Sequence, residues 1–454
     1  MNKRLTMLMA AALTLLSAVG HVSFISSGVM QYRPIQLKPD RAITGLDSIF
    51  VVYDTQEVSM TFTASTDSAV TWCTYDLRTW GSPDTILNIT RSGRVTMLDK
   101  VIPNKGYIIE EGTRRHYYWV VNYADYYMEL NDMFIINDPP CSLVNLRVDG
   151  IAHRIPFAST HGHNLVLDRE IELSYNTLVW DDSLHWQEQP IVEKFESLDD
   201  AIVIDPPLCN TEIILSGDQF LKAWGIEERI EGTYFQTQAV GCGTTAVQED
   251  RGNDNEKGLG QEGLLGGSAP VHIVFTGYPT DAVVYRVWEM ATDQDFENVI
   301  LQYNQDEVDY TFNDYGTYFM RYMVANASGS CESYSDTYTI TVSESYLECP
   351  NAFSPGSTPG VNDVWKVSYK SLVEFHCWIF NRWGNLVYEY TDPGGGWDGY
   401  YHGKLVDTGV YYYVITAVGS DGVKYKRRGD ITILRYKKGA AGTSGGMTGG
   451  ETGF

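Results

Sequence analysis

The sequence predicts an all-β protein built of several β-sandwich domains in tandem, and three observations carry that reading. Short runs of alternating β-formers recur along the chain, at residues 58–64, 116–123, 171–175, 271–276 and 411–418, each closed by Gly, Asp, Asn or Pro. This is the pattern of half-buried strands joined by turns. Aromatic residues make up 13% of the 454 residues, and 31 of them are tyrosines. Tyrosine suits a sheet surface, where the ring packs and the hydroxyl stays wet. The third observation is an internal repeat, Asp-x-Gly-x-Tyr, which twice leads directly into a strand-like run. Helical periodicity is nearly absent, and 219–230 is the one stretch that reads as a short helix.

The repeat places the sandwiches. Its copies are Asp314-Tyr315-Gly316-Thr317-Tyr318 and Asp407-Thr408-Gly409-Val410-Tyr411. A Tyr at the start of a strand, bonding back to nearby backbone, is the tyrosine corner of immunoglobulin-like sandwiches. The two tyrosines lie about ninety positions apart, close to the length of one such domain. Looser copies are Glu231-Gly232-Thr233-Tyr234 and Glu111-Gly112-Thr113 with Tyr117. Four corners imply four sandwiches, in line with the roughly three or four domains that this length suggests.

Composition narrows the class of protein. The formal net charge of -25 repels phosphate backbones and anionic lipid, so nucleic acid is excluded as a natural partner. Lys3 and Arg4, the apolar run at 5–16, and small residues up to Gly20 read as a secretory signal peptide over 1–20. No later run is long and apolar enough to span a membrane as a helix. In an exported chain, seven cysteines suggest disulfides with one thiol left over. Cys209 opens a strand run and Cys242 sits in a turn of the same segment; Cys331 and Cys349 bracket one strand. These are the expected pairs, with Cys73–Cys141 by elimination. Cys377, within an alternating run, reads as a buried thiol.

Punctuation sets the expected boundaries. An N-terminal immunoglobulin-like domain covers 21–137. A β domain, or two small ones, covers 138–250, where Asp-Pro-Pro marks stand at 138–140 and 205–207. A polar, Gly-rich stretch at 251–270 reads as a linker. Another immunoglobulin- or PKD-like domain covers 271–348, a last domain 349–438, and a tail with seven glycines 439–454.

Catalytic patterns are missing. The chain has no GxSxG elbow, HExxH or P-loop, so no catalytic, cofactor or metal residue is assigned and the protein is read as non-enzymatic. His153, His161 and His163 are taken as solvated loop residues rather than zinc ligands. The acidic pairs Asp181-Asp182 and Asp199-Asp200 are expected by chance among 58 acidic residues. Asn253-Asp254-Asn255-Glu256 is read as solvated linker rather than a calcium site. One charge feature stands out: Lys424, Lys426, Arg427, Arg428, Arg435, Lys437 and Lys438 form a basic segment in an acidic chain. It is either a lysine-protected sheet edge or a docking face for an acidic partner.

The last domain carries a series of motifs in order. Pro350-Asn351-Ala352-Phe353-Ser354-Pro355 opens it, followed by Asn362-Asp363 and by Phe380-Asn381-Arg382-Trp383-Gly384. Trp397-Asp398-Gly399, Gly409-Val410-Tyr411 and Gly429-Asp430 complete the series. Read physically, Trp383-Gly384 and Trp397-Asp398-Gly399 are tight turns whose tryptophans anchor the core. Together the motifs resemble the gliding motility-associated C-terminal domain, the type B sorting signal of the type IX secretion system. An acidic loop usual in that family is replaced here by Gly356-Ser357-Thr358-Pro359-Gly360. The resemblance implies Sec-dependent export, passage to the outer-membrane surface through the type IX machinery, and retention by a PorP/SprF-like barrel. The implied role is a non-enzymatic surface protein, a structural accessory of the secretion or gliding machinery included; the alternative is an adhesin or glycan-binding protein using the same signal. On this reading the basic edge docks on the barrel and the tail either threads it or has no role.

Overall fold

The computed structural model describes residues 20–26, 30–56, 58–136, 141–260, 263–357 and 360–434. Residues 1–19 of the expected signal peptide, the tail at 439–454, and Arg435, Lys437 and Lys438 lie outside these residues. The regular structure of the described residues is almost entirely strand, and the chain divides into two compact units. Unit 1 holds residues 1–179 and 187–239; unit 2 holds 180–186 and 240–454.

In unit 1 a six-stranded sheet has apolar residues on both faces. Strand Ser48–Val52 pairs in parallel with Arg114–Asn122 and is buried along its whole length. Phe50, Val52, Tyr118 and Val120 point to one core, shared with Met60, Phe62 and Trp72. Ile49, Val51, Trp119 and Val121 point to a second core, which takes in Ile171, Leu173, Ile213 and Leu215. A strand buried on both faces needs a continuous apolar run instead of strict alternation, which explains Ser-Ile-Phe-Val-Val. The second core therefore crosses the boundary expected at 137/138. The helix is real but short: Gln219–Trp224, capped by the Asp218 carboxylate on the Leu221 N–H.

Unit 2 begins with a sandwich of two sheets. Cys242–Gln248, Val271–Pro279 and Glu307–Phe312 form one sheet. The other centres on Gly316–Ala325, flanked by Tyr285–Ala291 and Tyr338–Val342. Trp288 is fully buried between them, its ring 4.9 Å from Tyr322 and 5.6 Å from Phe275. Strand Cys242–Gln248 thus lies in this sandwich, outside the segment 138–250 to which the sequence reading gave it.

Both full copies of the repeat behave as corners. The Tyr318 hydroxyl donates to the Asp314 carbonyl at 3.1 Å, and the Tyr411 hydroxyl to the Asp407 carbonyl at 3.2 Å. Gly316 and Gly409 have φ of +154° and +146°, a region that side-chain-bearing residues rarely enter. The looser copies differ: Tyr234 is 63% exposed, and Tyr117 lies inside strand Arg114–Asn122 rather than at its start.

The Gly-rich stretch 251–270 is a packed strap in its described residues, not a free linker. The buried Glu256 carboxylate meets Arg251 at 2.8 Å and accepts from the Tyr369 hydroxyl at 3.0 Å. The Asn255 amide donates to the carbonyls of Val367 and Pro393 at 2.9 and 2.8 Å. Asp254 pairs with Lys366 at 2.7 Å. Strand Leu265–Gly267 joins the sandwich sheet in parallel to Tyr338–Val342. The small and polar residues there serve close packing and backbone capping rather than flexibility.

The expected disulfides are not formed. Cys73, Cys209, Cys242 and Cys349 all remain thiols. Cys209 Sγ is directed to the Asn176 carbonyl at 3.5 Å and Cys242 Sγ to the Tyr322 carbonyl at 3.8 Å. Cys331 and Cys141 are disulfide-bonded, but not to Cys349 and Cys73. Burial pushes the Cys349 thiol up, against the Tyr413 hydroxyl and Arg427, which act to lower it. Its side chain packs against the core of the last domain. Cys377 is a thiol with no exposed surface, pushed up to about 12 by burial.

A carboxylate fastens the last domain to the sandwich before it. Asp421 accepts from the Ser345 hydroxyl at 2.7 Å and from the Ser345 and Val423 N–H groups at 3.0 and 3.1 Å. Burial pushes this carboxyl up, but these hydrogen bonds outweigh it and hold it below the usual range. A depressed folded-state value means the contribution is present above the unfolded value, about 3.9, and is lost as pH falls through the folded one. The melting-temperature gap between wild type and Asp421→Asn should stay constant from about pH 7 to pH 5 and narrow as pH falls below about 4.

Candidate partner-docking domain at the C-terminus

The last domain is built on a five-stranded sheet covered on one face. Its strand order is Ala352–Phe353, Lys424–Ile433, Gly409–Gly419, Leu372–Phe380, Leu386–Tyr390. Alternation along Leu372–Phe380 sends Phe375, Cys377 and Ile379 inward, where they meet Ile415, Ala417 and Ile431. The segments at 360–371 and 391–408 close over this core and insert two tryptophans. Trp365 and Trp397 are fully buried and their backbones bond reciprocally, N–H to carbonyl, at 2.8 and 3.0 Å. Each indole N–H is also satisfied: Trp365 Nε1 donates to the Pro350 carbonyl at 2.7 Å, and Trp397 Nε1 to that of Tyr400 at 3.1 Å.

Most motif residues are scaffold. Phe353 is buried against Trp397, ring centroids 5.5 Å apart, and Tyr411 packs on the same indole at 5.2 Å. Pro355 and Gly399 are buried together, and the Asn351 carbonyl accepts from the Thr432 N–H at 2.8 Å. The Asp363 carboxylate accepts from the N–H groups of Gly356 and Gly360 at 3.0 and 2.6 Å, and the Asn362 carbonyl accepts from Ser354 N–H. Asp398 caps the Tyr400 N–H at 3.0 Å. Gly429 lies under the Tyr413 ring, where a Cβ would meet the hydroxyl oxygen at 2.7 Å. Trp365 belongs to this scaffold as fully as Trp397 but stands outside the motifs; its signal was the alternation Val364-Trp365-Lys366-Val367.

Trp383 departs from expectation. It is 70% exposed at the tip of the hairpin after Phe380, with the Arg382 guanidinium over its ring at 4.2 Å. The Asn381 side chain holds this tip by accepting from the Trp383 and Asn385 N–H groups, both at 3.0 Å. The turn is thus closed by Asn381, and the indole is left outside the core. Trp383→Ala should therefore change stability by no more than about 0.5 kcal/mol, the usual range for an exposed site. Chemical denaturation of the purified variant checks this.

The basic segment is exposed where it is described. Lys424, Lys426, Arg427 and Arg428 are all solvent-facing on the strand Lys424–Ile433, and no described carboxylate lies within ion-pair distance of them. Only the last residues of this strand have a second neighbour, at Thr432 and Ile433. The histidines expected as loop residues do not converge. His153 pairs with Asp199 at 2.7 Å, while the His161 and His163 N–H groups donate to Ser159 Oγ. Among the described residues no group of three or more His, Cys, Asp or Glu side chains is placed to hold a metal. Asp181 caps the Ser183 and Leu184 N–H groups.

Two family models match the chain. The CHU_C Type IX secretion signal domain matches residues 347–433. This last domain is a type IX secretion signal. The second model, described as Fibronectin type III domain, matches residues 135–232. A type IX signal implies export, attachment at the cell surface and an interaction with the type IX machinery. No curated protein matches the chain. Among solved structures, a tetra-tandem repeat from the extending region of a large adhesion protein is 11% identical, covering 92% of this chain and 100% of its own, with a TM-score of 0.23. Chicken CNTN1 FN1-FN3 domains are 10% identical over 68% of this chain and 99% of theirs, with a TM-score of 0.23. Dimeric latent PorU from Porphyromonas gingivalis is 8% identical over 87% of this chain and 44% of its own, with a TM-score of 0.18.

Proposed function

We propose that this chain is a non-enzymatic surface protein, exported by the type IX route and held at the outer membrane by a PorP/SprF-like barrel. The observation that carries the reading is the match of 347–433 to a type IX secretion signal, on a domain most of whose motif residues are structural. The upstream sandwiches then act as a spacer or accessory outside the cell. The unpaired cations at Lys424, Lys426, Arg427 and Arg428 support an acidic docking partner. Deleting the barrel gene tests the reading. The chain should still leave the periplasm but appear in the medium instead of on cells. Undiminished surface retention would sink the barrel assignment.

A further inference from the structure

The outer face of the C-terminal sheet breaks the usual rule for a half-covered antiparallel sheet, which is apolar inside and polar outside. Register places Trp378 beside Val414 and Phe380 beside Tyr412 on the face opposite Cys377 and Ile415. Leu386 extends the row beside Phe380. Tyr412 is 48% exposed, Val414 40% and Leu386 41%. Across the next pairing, Val414 lies opposite Arg428 and Thr416 opposite Lys426. The Trp378–Val414 row thus runs into Arg428, with Lys426 next along the column and Asp430 opposite Tyr412. On the other flank, His376 stacks on Trp378 at 3.7 Å and reaches Glu389 at 3.3 Å, which fixes the indole in place. Ordered aromatic anchors beside unpaired charge are the composition of an interaction surface rather than a solvated one.

We infer that this face, centred on Trp378, Tyr412 and Val414, is the docking surface for a partner protein that presents an apolar patch bordered by acidic side chains. The cations set the sign of the partner's charge, and the apolar row sets its chemistry. The inference rests on the surface-retention reading above and deepens it: the contact is the sheet face, with the basic edge as its rim.

The test uses the full chain in its own host. Tyr412→Glu with Val414→Glu, and separately Lys426→Glu with Arg428→Glu, are scored in periplasm, cell surface and medium. The melting temperature of each purified variant controls for folding. Both pairs should lower the cell-bound to released ratio by about tenfold or more, with melting within about 2 °C of wild type. A photo-crosslinking phenylalanine analogue at 412 should give a protein adduct on the cell surface, and the same probe at Ile300, exposed on strand Val299–Tyr303 of the preceding sandwich, should give none. Wild-type retention of the Tyr412/Val414 pair overturns the inference. Release with no protein adduct at 412 also overturns it, assigning the face to a glycan or lipid. If the pair melts early, the adduct at 412 alone decides. Failure of the sorting reading is distinct: it appears as normal export of a chain lacking the domain, whatever the sheet-face variants do.

Discussion

Trp397→Ala should destabilise the secretion signal domain by about 3–5 kcal/mol, the usual range for deleting a buried Trp. Trp397 has no exposed surface, packs against the rings of Phe353 and Tyr411, and bonds backbone to backbone with Trp365. The Tyr400 carbonyl also loses the indole N–H that donates to it. A domain with typical stability of about 5–15 kcal/mol keeps little after such a loss. Far-UV dichroism during urea titration should show an early transition for this variant and none for Trp383→Ala. In cells, Trp397→Ala should accumulate in the periplasm while Trp383→Ala is exported. Equal stability of the two variants would contradict the assignment of Trp397 to the core and Trp383 to the surface.

Asp218→Ala should be comparably severe in unit 1. Arg169 and Asp218 form an ion pair at 2.7 Å with both side chains fully buried. The Tyr123 hydroxyl donates to Asp218 at 2.9 Å and accepts from Arg169 at 3.0 Å. Arg169 also donates to the His153 carbonyl at 2.8 Å. One knot therefore ties four distant stretches of chain, and Asp218 caps the short helix as well. Removing one partner leaves a buried charge uncompensated, at about 3–5 kcal/mol. Tyr123→Phe removes only the hydroxyl and should be milder, about 1–3 kcal/mol. Urea midpoints of both variants check the ranking; an Asp218→Ala midpoint equal to wild type would show the pair to be dispensable.

The legible parts of the fold were those written in local pattern. Alternation located the strands at Val58–Thr63, Val271–Pro279 and Gly409–Gly419, and the Asp-x-Gly-x-Tyr repeat located two corners because a positive-φ glycine and a back-bonding tyrosine are both local demands. Non-local facts were not legible. That Ser48–Val52 is buried on both faces depends on a second core built largely from residues beyond 128. Glycine and asparagine at 251–270 looked like a linker because close packing and flexibility select the same residues. The cysteine pairs failed for the same reason: order along the chain says nothing about where a thiol points. In the last domain, spacing marked Trp383 and Trp397 alike as turn tryptophans. What separates them is the Asn381 turn, which closes the hairpin without the indole, and the long segments that fold Trp397 inward. The outer sheet face was hidden because Trp378, Tyr412 and Val414 come from two strands and meet only through register.

The central claim is that the C-terminal domain carries the export signal. Its most direct measurement is the location of a chain lacking residues 349–454, scored by protease accessibility on intact cells with a periplasmic marker alongside. The account predicts a folded upstream portion trapped in the periplasm and protected from protease. Surface display of the truncated chain at wild-type level would contradict it.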